Sequence, residues 1–510
     1  MTIISRCRFS GPVSGHGAPA RRWGAGSGLL TGLLLGCLLV LASAFQAAPT
    51  HAQDGIMSRG DLVVTGFSGK VEPPAGVPLP PGVNALDETF IDINGAALKI
   101  FDVSNPGGPP QAQLINAPVK FQAFANDIGQ VFGLAIDDAQ FPNVYATATS
   151  AHGLQIVIPD ADGDGRPERI RLGQPGAQWM NGQFGVVRGG GPGTVWKIEG
   201  QTGNITKFAD IASAGQPNSG PGLGNIAYDP DHKQLFVSDL DTGLIHRLDM
   251  NGADLGTFDH GIQGRPANGL PPAADDGARL DITNPAFDAE YADSWGFTGS
   301  ERRVWGLAYE SGRLYYAVAE GPQVWSLGIA PDGSFSGDPR WELDLPADPK
   351  SYPVSDIAFQ SPGLMILAQR GDITSQYSYA QYHQPRQNKV LRYRLESPDD
   401  PATPSRWVEV PEEYAIGFPA TYRNTSGGIA VGFGYRQKAD GSYGFGACRG
   451  SLWTTGDALR DNPVHAARLS GGGEFIVHGL QNNRLDLVRP GNEPPWEAYF
   501  VDYDSRFGDP

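Results

Sequence analysis

The chain is 510 residues long and 40% hydrophobic, enough to bury a sizeable core, and its 69 glycines and 42 prolines suit many short strands and turns. Thirty-eight basic against 55 acidic side chains leave a net charge of −17. Such a field repels nucleic acid and anionic lipid and draws cations or basic partners, so nucleic-acid binding is the first function class excluded.

The first 52 residues read as a secretion signal that is cleaved. Arg6, Arg8, Arg21 and Arg22 form a basic start without acids, Leu29 to Phe45 is apolar, and Thr50-His51-Ala52 places small residues before Gln53. The apolar run is short for a membrane span. Two alternatives are weaker. Apolar sequence continues past Cys37 of the lipobox-like Leu34-Leu35-Gly36-Cys37, and Gly24 interrupts the run after the twin-arginine-like Arg21-Arg22-Trp23. The mature protein is then expected to be secreted or periplasmic, without a transmembrane anchor. Cys448 would be its only cysteine, a small buried residue with no disulfide partner.

Residues 53–60 read as a flexible leader and 61–510 as one domain. Strands are expected at Asp61–Phe67, Phe90–Ile93, Leu98–Val103 and Gln113–Asn116, with the proline-rich Val71–Gly82 as a connector that cannot join a central ladder. A second unit has strands at Val131–Asp137, Asn143–Thr149, Thr194–Glu199 and Ile205–Asp210, interrupted by an insertion over about 150–192. The third unit, Gly222–Gly261, is the clearest. Its four short apolar runs are separated by Asp229-Pro230, Asp241-Thr242-Gly243 and Asn251-Gly252, the pattern of a four-stranded antiparallel meander. An insertion at 262–302 precedes a fourth unit over Val304–Asp344. A fifth begins at Val354 and carries an insertion at 372–388, and the last begins at Gly427 and ends in Pro494–Asp504. Sustained helical periodicity is absent, so the chain reads as all-β.

Four strands in about forty residues is the size of one β-propeller blade, and a lone blade cannot bury both faces. Five units open on a shared signature: Phe132-Gly-Leu-Ala135, Gly224-Asn-Ile-Ala227, Trp305-Gly-Leu-Ala308, Ser355-Asp-Ile-Ala358 and Gly427-Gly-Ile-Ala430. Small residues suit innermost strands, which crowd around an axis. With the N-terminal unit, these predict a β-propeller of six blades, seven blades or a split ring being the alternatives. Units of this form, followed by the LFVSDLDTGLIHRLD run of residues 235–249, resemble the six-bladed propellers of the NHL, streptogramin-lyase and SMP-30/gluconolactonase group. That group holds lactonases, a lyase and pure binding modules, so the resemblance implies a fold and leaves the activity open.

The sharpest chemical motif is Asp160-Ala-Asp162-Gly-Asp164-Gly165-Arg-Pro-Glu168, inside the first insertion. Acids at the first, third, fifth and ninth positions with glycine at the sixth match a calcium loop, because alternate residues of a tight turn can aim several oxygens at one hard cation. Arg171 stands where an EF-hand needs glutamate, so the expected role is structural. The alternative is a solvated acidic turn. At the axis, Asn225 and Asp356 replace the glycines of other signatures, and Asp239 stands on the neighbouring strand. The resemblance implies that such acidic and amide groups could hold a second divalent metal that polarises a carbonyl. A wet, polar channel lining is the simpler reading. His246, His260 and His478 lack metal-ligand spacing. Trp179, Trp295, Tyr377, Tyr379, Tyr382 and Trp496 fall in insertions or the tail. There they either face a ligand or pin long loops to the rim.

These observations predict an exported, calcium-stabilised β-propeller acting as a non-catalytic binding or scaffold module for protein or carbohydrate at the cell envelope. The alternative is a metal-dependent lactonase or lyase working in the axial pocket. Convergence of Asn225, Asp239 and Asp356 on one point would separate the two.

Overall fold

The structure, a computed structural model, describes residues 2–5, 55–79, 81–160, 163, 165–347, 350–373, 377–379, 383–396, 406–419, 421–472 and 476–503. Six sheets of at least four strands, antiparallel but for one pair, follow one another along these residues. In the third sheet the strands Leu223–Asp229, Gln234–Asp239, Leu244–Asp249 and Asp254–Asp259 pair in sequence order, as a meander requires. The fourth sheet, Val304–Glu310 through Arg340–Asp344, repeats it. The innermost strands Val131–Ile136, Leu223–Asp229, Val304–Glu310, Val354–Ser361 and Thr425–Gly432 pack side by side in that order. The short strand Ile3–Ser5 lies between the last and the first of them and closes the ring. The fold is a β-propeller.

Sequence and structure differ most at the join of the ring. Val119–Phe124 is the outer strand of the first sheet, a place the sequence reading left empty. Its VKFQAF pattern keeps one edge wet, so it lacks the apolar run of an inner strand. Gln113–Leu114 leaves the first sheet and pairs in parallel with Tyr499–Phe500 of the sixth, tying the early part of the chain to its end. Phe90–Ile91 pairs with Lys70–Val71 in a separate ribbon. Inside the span read as a secretion signal, Ile3–Ser5 is the inner strand of the first sheet, antiparallel to Leu62–Val64. Thr2 N donates to Thr65 Oγ1 at 2.9 Å. Cys448 is disulfide-bonded, which corrects its reading as an isolated thiol; Cys7 and Cys37 lie outside the described residues.

The insertions share one face. Each leaves the propeller at the end where the inner strands begin, and together they build a cap. Ile156–Pro159, Pro167–Ile170 and Gln178–Trp179 of the first insertion form a small sheet. Leu154, Ile156 and Phe184 from it pack with Phe287, Ala289 and Trp295 from the second insertion, and Ile373 of the third joins the same cluster. Arg169, 4% exposed, is the clasp. Its guanidinium carbon lies 3.6 Å from the Tyr377 ring centroid and 4.4 Å from that of Tyr379. Its Nη groups donate to Gln155 Oε1, Leu86 O, Thr89 O and Tyr377 O at 2.5–2.8 Å. A buried cation with so many acceptors and two ring faces is held firmly.

Removing Thr2–Ser5 leaves the edge of Leu62–Thr65 unpaired beside the axis, and unpaired buried backbone groups are costly. A protein beginning at Gln53 is therefore expected to melt several degrees below the full chain. A peptide containing residues 2–5, added in trans, should restore part of the loss. Equal melting of the two proteins would show that this strand contributes nothing.

Candidate functional site

The five signature strands all carry a β-bulge at the signature itself. Pairing with the second strand slips between Val131 and Leu134, Leu223 and Ile226, Val304 and Leu307, Val354 and Asp356, and Thr425 and Ile429. A bulge re-aims one residue out of the pleat, here toward the axis. Neighbouring inner strands then approach so closely that a side chain often has no room. A Cβ on Gly133 would stand 2.7 Å from Gly224 O, and one on Gly224 would stand 2.4 Å from Ser238 Oγ. Hydroxyls bridge from four of the six sheets to the bulge of the next. Thr65 donates to Phe132 O at 2.9 Å, Thr147 to Gly224 O at 2.8 Å, Ser238 to Trp305 O at 3.3 Å and Ser355 to Gly427 O at 2.7 Å.

Two cavities follow from this geometry, at opposite ends of the axis. The larger, about 900 Å3, is lined by all five signature alanines and by Thr2–Ser5. Asn225 and Asp356 close its inner end and meet as their bulge positions dictate. Asn225 Nδ2 donates to Asp356 Oδ1 at 3.0 Å and to Ser355 O at 3.2 Å. Asp356 Oδ1 also takes the Ile357 amide at 3.0 Å, and Oδ2 takes the Ile429 amide at 2.9 Å. Burial raises the Asp356 carboxyl to about 7, against the hydrogen bonds that favour its anion.

Asp239 does not join them. Its carboxylate accepts from Asn218 Nδ2 and Thr242 Oγ1, each at 2.6 Å, and from the Asp241 amide at 3.1 Å. It shapes the Asp239–Gly243 turn and leaves the axis to the other two. This corrects the expectation of a three-residue axial set. One carboxylate and one amide, with their oxygens already turned onto backbone N–H groups, do not fit a catalytic divalent metal. Among the described residues no three histidine, cysteine or acidic side chains cluster as metal ligands.

The smaller cavity, about 410 Å3, lies under the cap, where the inner strands begin. Trp305, Ser355 and Arg370 form its propeller side, with Phe297, Arg303 and Ile373 around them. Arg370 follows the second strand of the fifth sheet and spans the axis. Its Nη2 donates 2.9 Å to Ala151 O on the second sheet's side, its Nη1 donates 3.4 Å to Ser426 O of the sixth, and its guanidinium lies 5.7 Å from the Phe132 ring centroid. Arg370 is 4% exposed, Trp305 is 5% exposed, and Arg370 Nε and Trp305 Nε1 have no hydrogen-bond partner. No described acid lies within ion-pair distance of Arg370 or Arg303. Burial lowers Arg370 to about 10 and also lowers Arg303, yet both stay cationic at neutral pH. Burial holds the nearby His383 down at about 4, so that imidazole is neutral.

Sequence reasoning passed over Arg370, Arg303 and Trp305. The available signal was the pair of signatures that open on an aromatic, Phe132 and Trp305, where the others have Gly or Ser. In space these rings meet edge-on, with centroids 6.4 Å apart.

The aromatics chosen as ligand-facing are in the wall of the cap. Trp295, Tyr377 and Tyr379 are 0%, 3% and 4% exposed, and Trp179 stands edge-on to Phe184 at 5.2 Å. They pin the insertions, with Trp179 partly buried and the other three buried, a correction that follows from the packing of the insertions on one another. Trp496 packs on Phe418 at 4.6 Å, and Tyr382 lies outside the described residues. His246 and His478 pair with Asp254 and Asp457, and His260 with the Tyr316 hydroxyl. In the acidic loop, Asp162 and Asp164 lie outside the described residues. Asp160 Oδ1 accepts the Gly165 amide at 2.7 Å, and Glu168 stands on the returning strand opposite Ile158.

No family model matches the chain, and no curated protein sequence is similar to it. Solved structures are similar at the level of shape. A calcium-binding protein, regucalcin, from Agrobacterium tumefaciens is 11% identical, with 71% of this chain and 92% of that one covered at a TM-score of 0.31. Virginiamycin B lyase from Staphylococcus aureus is 12% identical, with 77% and 89% covered at 0.29. A nidogen/laminin complex is 13% identical, with 70% and 84% covered at 0.29. These include members of the group the sequence resembles, and scores this low bear on neither ligand nor activity.

Asp356 is the residue whose ionisation the fold resists. Its carboxyl is raised from 3.8 to about 7, so between those values the folded protein holds a proton that the unfolded chain has lost. Its contribution to stability is full below pH 4 and declines as pH rises toward 7. Asp356→Asn should remove that decline: the wild type minus variant difference in melting temperature becomes less favourable to the wild type from pH 4 to 7. A difference independent of pH would place the carboxyl at its ordinary value.

Proposed function

We propose that the protein is a non-catalytic binding propeller, exported to the cell envelope, that takes a protein or carbohydrate ligand on the face capped by the three insertions. The observation that carries this reading is the contrast between the two ends of the axis. At one end the Asp356 carboxylate is satisfied by Asn225 and two backbone amides. At the other, a pocket is lined by Arg303, Arg370 and Trp305, with no acid among the described residues in an ion pair with either arginine. Ligand pockets are concave, largely apolar and furnished with a few convergent polar groups, which describes the capped end. Among the described residues the rival metal-dependent lactonase or lyase finds no donor set, since Asp239 serves a turn elsewhere.

The test is a thermal-shift screen of sugars and peptides with and without chelator, followed by mass analysis of each ligand that stabilises the protein. A binder stabilised by a ligand recovered unchanged, equally in the Asp356→Asn variant, is the expected result. Divalent-metal-dependent turnover that disappears in Asp356→Asn would establish the enzyme.

In the same reading calcium stiffens the first insertion. Asp160, Asp162, Asp164 and Glu168 would hold it, carboxylate oxygens being the ligands this cation prefers. Asp160 and Glu168 flank one hairpin tip, which supports this role. Chelator should lower the melting temperature of the wild type by several degrees and leave an Asp162→Ala/Asp164→Ala variant, already low, unmoved. If chelator moves neither protein, the loop is a solvated turn.

A further inference from the structure

The capped pocket has a feature that narrows the ligand. Its propeller wall supplies hydrogen-bond donors and positive charge. Arg370 and Arg303 both line it, and neither is within ion-pair distance of a described acid. The pocket's own acids stand at the mouth: Asp293 is exposed, and Asp372 pairs with Lys350. Asp457 pairs with His478 and supports the Arg370 charge only through space, without an ion-pair contact. A buried cation without a counter-ion is expensive, and a buried N–H without an acceptor adds to that cost. Arg370 gives one N–H from each Nη group to the carbonyls of Ser426 and Ala151, which fixes the guanidinium across the axis and leaves three of its five N–H groups. The Trp305 indole N–H on the same wall is also without an acceptor. A guanidinium outside any ion pair and an indole lining the same cavity are the donor types from which a carboxylate accepts. Phe297 and the Trp305 ring, with centroids 6.0 Å apart, offer the apolar surface on which the rest of a small ligand can lie.

We infer that the pocket under the cap is a carboxylate-recognition site, in which Arg370 and Trp305 bind the acid group of a small molecule whose body rests on Trp305 and Phe297. This rests on the binding reading above and specifies it: a uronic acid is the form a carbohydrate ligand would take, and an aromatic acid is the other source of the same group. The surrounding charge of −17 opposes an anion, so its binding should tighten as added salt screens that long-range field.

The experiment is calorimetric titration of the full chain with D-glucuronate, D-glucose and benzoate at matched ionic strength. Saturable binding of glucuronate or benzoate, with glucose at least about tenfold weaker, is expected. Glucuronate alone would assign the site to acidic sugars, and benzoate alone to aromatic acids. Arg370→Met should weaken the acid about tenfold or more. Trp305→Phe, which keeps a ring and removes the N–H, should weaken it severalfold and guards against a variant that fails to fold. Glucose binding as tightly as glucuronate would overturn the carboxylate inference and leave the carbohydrate reading standing. Failure of both acids, or acid binding unchanged in Arg370→Met and Trp305→Phe, would also overturn it.

Discussion

The hydrogen bond from a hydroxyl of one sheet to the bulged carbonyl of the next is the contact on which the rest depends. A bulge frees backbone groups from the ladder, and near the axis of a propeller no solvent is at hand to satisfy them. Thr65, Thr147, Ser238 and Ser355 supply the missing donors, each toward the neighbouring sheet. Each such bond contributes about 1 kcal/mol, but a carbonyl left bare would cost more, so the hydroxyls and bulges come together. They also set the spacing between inner strands, which explains why Gly133 and Gly224 have no room for a Cβ.

That spacing makes the two ends of the axis unlike. Past the bulges, the five alanines keep a cavity open, since small side chains cannot fill it. Before the bulges, Phe132 and Trp305 come together and Arg370 crosses over the top. Burial acts on Asp356 and Arg370 in the same sense, against charge, with different results. The carboxyl moves into the neutral range and can carry a proton, whereas the guanidinium starts so high that it stays cationic. A molecule of net charge −17 thus holds a fixed positive charge at the capped end of its axis.

Much of this was legible in the chain. Gly222–Gly261 displays its turns and period, and the signature marked five inner strands because the crowding that selects small residues recurs in each. Asn225 and Asp356 were readable as departures from glycine at a bulge. Other features depended on contacts between distant segments. Val119–Phe124 is an outer strand with a wet edge, and Gln113–Leu114 pairs with the far end of the chain. Asp239 was misplaced because an Asp-x-x-x-Gly turn uses its carboxylate locally, as Asn218 and Thr242 show. The insertion aromatics were misjudged for a related reason. A long insertion read alone leaves its Trp and Tyr exposed, whereas three insertions on one face bury them in each other.

The cap also explains why the donors of Arg370 and Trp305 are of interest, where scattered unsatisfied groups elsewhere would not be. Arg169 lies in the cap itself, where its Nη groups reach four oxygens and two tyrosine faces flank the guanidinium. Both arginines keep a buried Nε–H without a partner among the described residues, but Arg370 has two carbonyl acceptors where Arg169 has four oxygens, and it lines a cavity. An arginine that lines a cavity, outside any ion pair among the described residues, is placed to take an acceptor from outside the chain, and that is the physical ground for an acid group there.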